Sequence, residues 1–101
     1  MYDNMYNILM QTPVGIKYGT LFFNIDTGTI VGELNILNHR EPIKGTIDEF
    51  GYCHLTGQII TLMKRIDFQA TGRMHNGTLN LSAKGERNIF EITGVPISQK
   101  Q

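Results

Sequence analysis

The side chains able to act as nucleophiles, bases or metal ligands are few and scattered along the sequence. The chain has one cysteine, Cys53, and three histidines, His39, His54 and His75. None stands in a Cys-x-x-Cys, His-x-His or His-Glu-x-x-His spacing, so no metal site is predicted. Cys53 and His54 are neighbours in a predicted strand and point to opposite faces, which disfavours a nucleophile pair. We therefore expect no catalytic residues, no cofactor and no enzymatic activity.

The composition favours one small folded domain. The chain has 101 residues, 41% of them hydrophobic, with nine basic and nine acidic side chains. This length suits a single domain over residues 1–101, with polar tails at 1–4 and 98–101 that we expect to be flexible. There is no signal-peptide pattern and no apolar run long enough to span a membrane. A single cysteine argues against a disulfide-stapled secreted scaffold, so a cytoplasmic location is expected.

The hydrophobic pattern has a period of two residues, which is typical of half-buried antiparallel strands. Alanine is scarce, and glycines interrupt every window long enough for a helix. Asn76-Gly77 is the strongest hairpin signal. The pattern predicts eight strands, at about Tyr6–Thr12, Lys17–Ile25, Thr29–Leu37, Ile43–Ile47, Tyr52–Thr61, Ile66–His75, Thr78–Ala83 and Asn88–Val95.

Glycines inside the strands indicate how the sheet is shaped. Six of them are predicted on the inward, apolar face of their strands: Gly19, Gly32, Gly45, Gly57, Gly72 and Gly94. Ile25 of the second strand is predicted on the same face. Registers counted from the turns place Gly32 opposite Phe23, and Gly45 opposite Leu55. Strand glycines cost stability, but they allow the strong coiling that closed barrels need. The sequence therefore predicts an all-β, eight-stranded antiparallel up-and-down meander, closed or nearly closed into a barrel, with a β-sandwich as the alternative.

The glycine steps inside consecutive strands carry a family resemblance. Val31-Gly32-Glu33-Leu34, Thr56-Gly57-Gln58-Ile59 and Thr71-Gly72-Arg73-Met74 resemble those of calycin-type barrels, which include avidin-like and lipocalin-like ligand binders. The resemblance implies an apolar interior reached through one open end. It transfers no binding residue, because the chain lacks the tryptophans that those two families use.

The zero net charge conceals two unlike ends. Alternate turns of a meander lie at the same end, and one end collects six basic residues against two acidic ones, while the other has three acidic residues and no lysine or arginine. The basic end also has the longer predicted loops, Asn38 to Pro42 and Leu62 to Arg65. Longer loops on a rigid wall commonly carry function.

These features predict that the protein is a non-enzymatic binding barrel for a small apolar or amphiphilic anion, which enters at the basic end. The predicted rim consists of Arg40, Lys64, Arg65 and Arg87. The predicted interior contacts are Phe23, Leu34, Phe68, Met74 and Phe90. Nucleic acid is disfavoured as a ligand, because the aromatic residues do not alternate with the basic ones on the surface.

An interaction module without a ligand is the alternative function. Apolar residues on the outward phase of the first three strands are expected to form a contiguous patch, and such patches usually mark interfaces. The predicted interface of a homodimer consists of Leu9, Tyr18, Phe22, Val31 and Leu37.

Overall fold

Eight antiparallel strands form a closed barrel in the order of the chain. The structure is a computed structural model that describes residues 2–13, 15–61 and 63–97. Each strand pairs with the next, and β1 pairs with β8 to close the sheet. The closure confirms the predicted barrel and excludes the sandwich. The strands are β1 Asn4–Thr12, β2 Gly15–Asp26, β3 Thr29–Ile36, β4 His39–Ile47, β5 Tyr52–Ile60, β6 Arg65–His75, β7 Thr78–Lys84 and β8 Ile89–Pro96. In these described segments there is no helix that could cross a membrane.

Alternation along the strands fills the barrel with apolar side chains. In β7, for example, Leu79, Leu81 and Ala83 are buried, while the residues between them are exposed. No polar or charged residue among those described is buried. One predicted inward residue is wrong: Ile25 is 40% exposed. It is the penultimate residue of β2, beside the β2–β3 turn, although its cross-strand partner Ile30 is buried.

Glycines face large partners across the ladders, as the sequence predicted. Phe23 pairs with Gly32, Gly45 with Leu55 and Gly72 with Leu81. A Cβ atom on Gly32 would collide with the Phe22 carbonyl oxygen and lie 2.6 Å from the Phe23 Cα atom. Since the obstacle is backbone, only glycine permits this close approach of β2 and β3.

The turns differ from the prediction in one important place. Asn76 and Gly77 have positive φ angles of 52° and 78°, which confirms that hairpin. The predicted loop from Asn38 to Pro42 is wrong, because the β3–β4 connection consists only of Leu37 and Asn38, both with positive φ. His39 through Pro42 pair with β3 instead. Two residues in this conformation match the twist of a hairpin.

The N-terminal residues contact the barrel wall. The Tyr2 hydroxyl donates to Glu33 Oε1 at 3.2 Å, the Asp3 main-chain N–H donates to Asn24 Oδ1 at 2.6 Å, and β1 begins at Asn4. Residues 2–4, predicted as part of a flexible tail, therefore have polar contacts to β2 and β3. The tail predicted at 98–101 lies outside the described residues.

Candidate ligand-binding groove

The β4–β5 ladder is unusually short. These two nine-residue strands pair only from Lys44↔Thr56 to Ile47↔Cys53, whereas β5 and β6 pair over nine positions. The Thr56 hydroxyl donates to the Lys44 carbonyl at 3.3 Å, at the end of the ladder. Beyond this point no further pair joins β4 to β5 among the described residues.

Pro42 explains why the ladder stops. The Ile47 N–H donates to Gly28 beside β3, and the Asp48 N–H donates to Tyr52 on the β5 side, both at 2.9 Å. Main-chain groups of an antiparallel strand alternate in direction, so even-numbered residues of β4 face β5. The next pair would join Pro42 to Gln58, and proline has no N–H to donate.

A groove of about 990 Å³ lies at this end of the ladder. It is lined on the barrel side by Ile43, Gly57, Ile66 and Phe68. Ile43 and Phe68 are buried core residues, and both pack against Gly57, where an added Cβ would lie 2.9 Å from Ile43 Cγ2 and 3.1 Å from Phe68 Cζ. The space that a side chain at Gly57 would need is therefore filled by Ile43 and Phe68, which form the apolar side of the groove.

Cations surround the groove. Its charged lining consists of five basic residues, Lys44, Lys64, Arg65, Lys84 and Arg87, and two acidic ones, Asp67 and Glu86. Within the described part of the chain, none of the five basic side chains has an ion pair within 4 Å. Lys64 stands on an ordered turn, because the Thr61 N–H and hydroxyl both donate to its carbonyl at 2.8 and 3.0 Å. Unpaired cations beside an apolar floor can bind an anionic group and an apolar chain together.

Three of the four predicted rim residues line this groove: Lys64, Arg65 and Arg87. Arg40 lies elsewhere. Its Nε atom is 3.1 Å from Glu33 Oε2 and 3.3 Å from Asn35 Oδ1, on the outer wall of β3 and β4. The cause is the short β3–β4 turn, which places Arg40 in a strand rather than a loop.

Two lining cations were missed by the sequence prediction of the rim. They are Lys44 and Lys84. Lys44 lies at the groove because it forms the last β4–β5 pair, opposite Thr56. The signal that points to it is Pro42, two residues earlier, which interrupts pairing on that side of the strand.

The predicted interior contacts are spread through the core. Phe68 lines the groove, whereas Phe23, Leu34 and Phe90 are buried within the barrel. Phe23 stacks on Tyr6 with ring centroids 5.7 Å apart. Met74 is six residues from Phe68 along β6, which is about 20 Å in a strand. A ligand in the groove thus contacts Phe68 and the neighbouring Ile43 and Ile66 rather than the whole set.

The predicted interface residues fall into separate places on the outer wall. Leu9 pairs directly with Tyr18, which is 72% exposed. Tyr18 and Leu37 line a second groove of about 660 Å³. Phe22 is partly covered by Tyr2, with ring centroids 6.2 Å apart.

Val31 lies apart from these residues, at the edge of the first groove. Along β3 it is separated from Leu37 by Glu33 and Asn35, whose side chains hydrogen-bond to each other at 3.1 Å. Arg40 forms an ion pair with Glu33 on the same face. The apolar residues therefore do not form the contiguous patch that the sequence predicted.

Neither Cys53 nor a histidine is among the residues that line the groove, although Gln69, which does line it, is close to His54. Cys53 is buried and His54 is exposed, with its Nε2 atom 3.3 Å from Gln69 Oε1. Burial raises the pKa of the Cys53 thiol, with a smaller contribution from Asp48. Burial likewise raises the pKa of the Tyr6 hydroxyl. No cluster of three or more His, Cys, Asp or Glu side chains suited to a metal occurs among the residues described.

Comparison with known proteins identifies the fold and no family. No family model matches the chain. No curated protein matches it. Among solved structures, a redesigned β-barrel, mFAP1, bound to DFHBI, is similar, with a TM-score of 0.61, 16% sequence identity, and coverage of 94% of this chain and 93% of that chain. At this identity the similarity concerns the architecture of the barrel.

Proposed function

We propose that this protein is a non-enzymatic, cytoplasmic binding barrel for a small amphiphilic anion, held in the groove between β4 and the β5–β6 hairpin. The observation that carries the proposal is that unpaired cations and side chains at the edge of the hydrophobic core line the same groove. The groove volume of about 990 Å³ suits a small organic ligand.

The apolar part of the ligand packs on Ile43, Ile66 and Phe68. These side chains belong to the core or pack against it, so they are held in place whether or not a ligand is present. Burial of apolar surface supplies most of the affinity, at about 25 cal/mol per Å² removed from water.

The anionic part lies among Lys64, Arg65 and Arg87, with Lys44 and Lys84 nearby. Since these side chains are exposed, each contributes modestly, about 0.2–1 kcal/mol. They determine the sign of the preferred charge and the end at which the ligand enters.

The fold is compatible with this role. The structure of mFAP1 contains a bound small ligand, DFHBI. A barrel of the same architecture can therefore accommodate a small molecule, which supports the proposal while leaving the chemistry of the ligand to this chain's own residues.

Calorimetric titration with three probes of equal chain length tests the proposal: dodecanoate, dodecanol and dodecyltrimethylammonium. We expect dodecanoate to bind most tightly. The double variant Lys64→Glu/Arg65→Glu should weaken dodecanoate binding by about tenfold or more. Lys17→Glu is the matched control, because Lys17 belongs to the same end but lines only the second groove. Equal binding of all three probes, or no binding of any, would reject the proposal.

A second proposal concerns self-association through the second groove. Ile16, Tyr18 and Leu37 are exposed there, with Tyr18 at 72%. We propose that the protein forms a homodimer through this face. Sedimentation of Tyr18→Glu should then give a monomer under conditions where the unaltered protein dimerises, whereas a monomeric unaltered protein would refute the dimer.

A further inference from the structure

The β4–β5 turn presents an aromatic side chain next to negative charge. Phe50 is 64% exposed, and the neighbouring Tyr52 is 55% exposed. Asp48 and Glu49 directly precede Phe50, and both are exposed. Among the described residues, neither carboxylate has an ion pair within 4 Å. One short segment thus combines an apolar ring with carboxylates that no cation pairs.

Hydrogen bonds hold this turn in one shape. The Asp48 Oδ1 atom accepts from the main-chain N–H groups of Phe50 and Tyr52, at 2.9 and 3.0 Å. The Arg73 Nε atom donates to the Phe50 carbonyl at 3.1 Å, and the guanidinium carbon lies 4.8 Å from the centre of the Tyr52 ring. Exposed aromatic and arginine side chains are typical of interfaces, and an ordered turn loses little conformational entropy when it binds.

A further carboxylate belongs to the same end of the barrel. Asp26 is the last residue of β2, and the Ile47 N–H donates to the Gly28 carbonyl at 2.9 Å, which joins the β2–β3 turn to the base of the β4–β5 turn. These two turns contain no lysine or arginine. Arg73 adds one positive charge beside Phe50, so the three carboxylates leave this end negative on balance.

The groove at the other end of the barrel has the complementary chemistry. Its apolar side includes Ile43, Ile66 and Phe68. Lys64 and Arg65 line it as well, with no ion pair among the described residues. Each surface combines an apolar feature with charge, and the two charges have opposite signs. With a volume of about 990 Å³, the groove is larger than one aromatic side chain.

We infer that the β4–β5 turn of one copy of this protein binds in the groove of a second copy. Phe50 packs on the apolar side of that groove, and the Glu49 carboxylate lies among its cations. The inference uses the groove of the proposed function but requires no small ligand. Turn and groove lie at opposite ends of β5, so the contact is heterologous and joins copies end to end. It therefore differs from the homodimer proposed at the second groove, which closes after two copies.

Sedimentation velocity at low ionic strength provides the first test. The protein carries Tyr18→Glu, which removes the homodimer proposed at the second groove, and its concentration exceeds that used to test the homodimer. We expect association that increases with protein concentration. It should weaken at an ionic strength of about 0.15 M, where the Debye length is about 8 Å. No association, or association that salt leaves unchanged, would overturn the inference.

Substitutions on each surface provide the second test, in the same Tyr18→Glu background. Phe50→Ala keeps the main-chain hydrogen bonds of the turn and should weaken association by about tenfold or more. Lys64→Gln/Arg65→Gln should weaken it by about 2- to 30-fold, the factor for two exposed ion pairs. Val95→Ala is the control, because Val95 is 51% exposed and lines neither groove. Equal association in all of these variants would contradict the docking.

A mixture of two variants distinguishes this contact from other forms of association. Phe50→Ala has an intact groove, and Lys64→Gln/Arg65→Gln has an intact turn. Their equimolar mixture should associate more strongly than either variant alone and stop at one-to-one dimers, because neither free end of such a dimer can bind another copy. This recovery would also show that both variants are folded. A mixture that associates no more than its components would overturn the inference.

Competition separates this inference from the proposed function. Dodecanoate that binds in the groove should dissociate the mixed dimer, since both occupy the same apolar side. Dodecanoate that binds without dissociating the dimer would contradict docking in the groove. If dodecanoate does not bind while the mixed dimer forms, the proposed function fails and the end-to-end contact is retained.

Discussion

Replacing Pro42 with threonine should extend the β4–β5 ladder and close the groove. Pro42 is the even-numbered residue of β4 that would pair with Gln58, and it lacks the required N–H. Threonine restores the donor and favours strands. On its other side Pro42 is opposite Glu33. That pair exchanges no main-chain hydrogen bonds, so the change leaves the β3–β4 ladder intact.

The free energy of unfolding should change little. One new main-chain hydrogen bond, from the introduced N–H to the Gln58 carbonyl, contributes about 0.5–1.5 kcal/mol, while removal of proline adds freedom to the unfolded chain that costs about 0.4–1 kcal/mol. The net effect, between a loss of about 0.5 kcal/mol and a gain of about 1.1 kcal/mol, overlaps with no change at all. A denaturation midpoint is therefore a poor measurement here, and hydrogen exchange of single amides is a direct one.

Hydrogen exchange followed by NMR provides this measurement. In Pro42→Thr the amide introduced at position 42 faces the Gln58 carbonyl, and it should exchange about 2- to 12-fold more slowly than a solvent-exposed amide, the factor that corresponds to one hydrogen bond. Pro96→Thr is the control, because Pro96 lies beyond the last β7–β8 pair, Leu79↔Gly94. An introduced amide that exchanges as fast in Pro42→Thr as in Pro96→Thr would refute the pairing of position 42 with Gln58.

Two further predictions concern stability. Gly32→Ala forces a Cβ against the backbone of Phe22 and Phe23, so urea denaturation should show a loss of about 1–3 kcal/mol, and an unchanged midpoint would contradict the close approach. Burial raises the pKa of Cys53 and of Tyr6, so the unfolded chain releases these protons at lower pH than the folded one. The contribution of the buried thiol to the free energy of unfolding is complete below the pKa of the unfolded thiol and is lost as pH rises above about 8.5. The urea concentration at the midpoint should therefore decrease as pH is raised from about 7 to about 9.5, and it should decrease less in Cys53→Ala. A midpoint that rises over this range would show that the sign is wrong.

Much of the fold could be predicted from residues close in sequence. The two-residue period assigned the inward side chains, and the Asn76-Gly77 turn determined the register that places Gly72 opposite Leu81. Register follows from turn length and side-chain alternation, and both are local. The prediction failed at Ile25, because burial at a strand end depends on what covers it.

The candidate site was predicted only in part. Lys64, Arg65 and Arg87 were assigned to one end of the barrel by counting turns, and the structure brings them to one groove. Arg40 was assigned to a loop, because the cluster from Asn38 to Pro42 contains residues common in turns. Pairing with β3 instead makes these residues a strand, and pairing is an interaction between distant parts of the chain.

The sequence by itself determined the eight strands, their inner face and the charge difference between the two ends, because each depends on period, turn chemistry and counting. Tertiary structure decided where the β4–β5 ladder ends. Pro42 marks a missing donor in the sequence, but its consequence depends on which strand faces it. Only the folded barrel places Pro42 beside β5 and near Gly57, so that core side chains and unpaired cations line one groove.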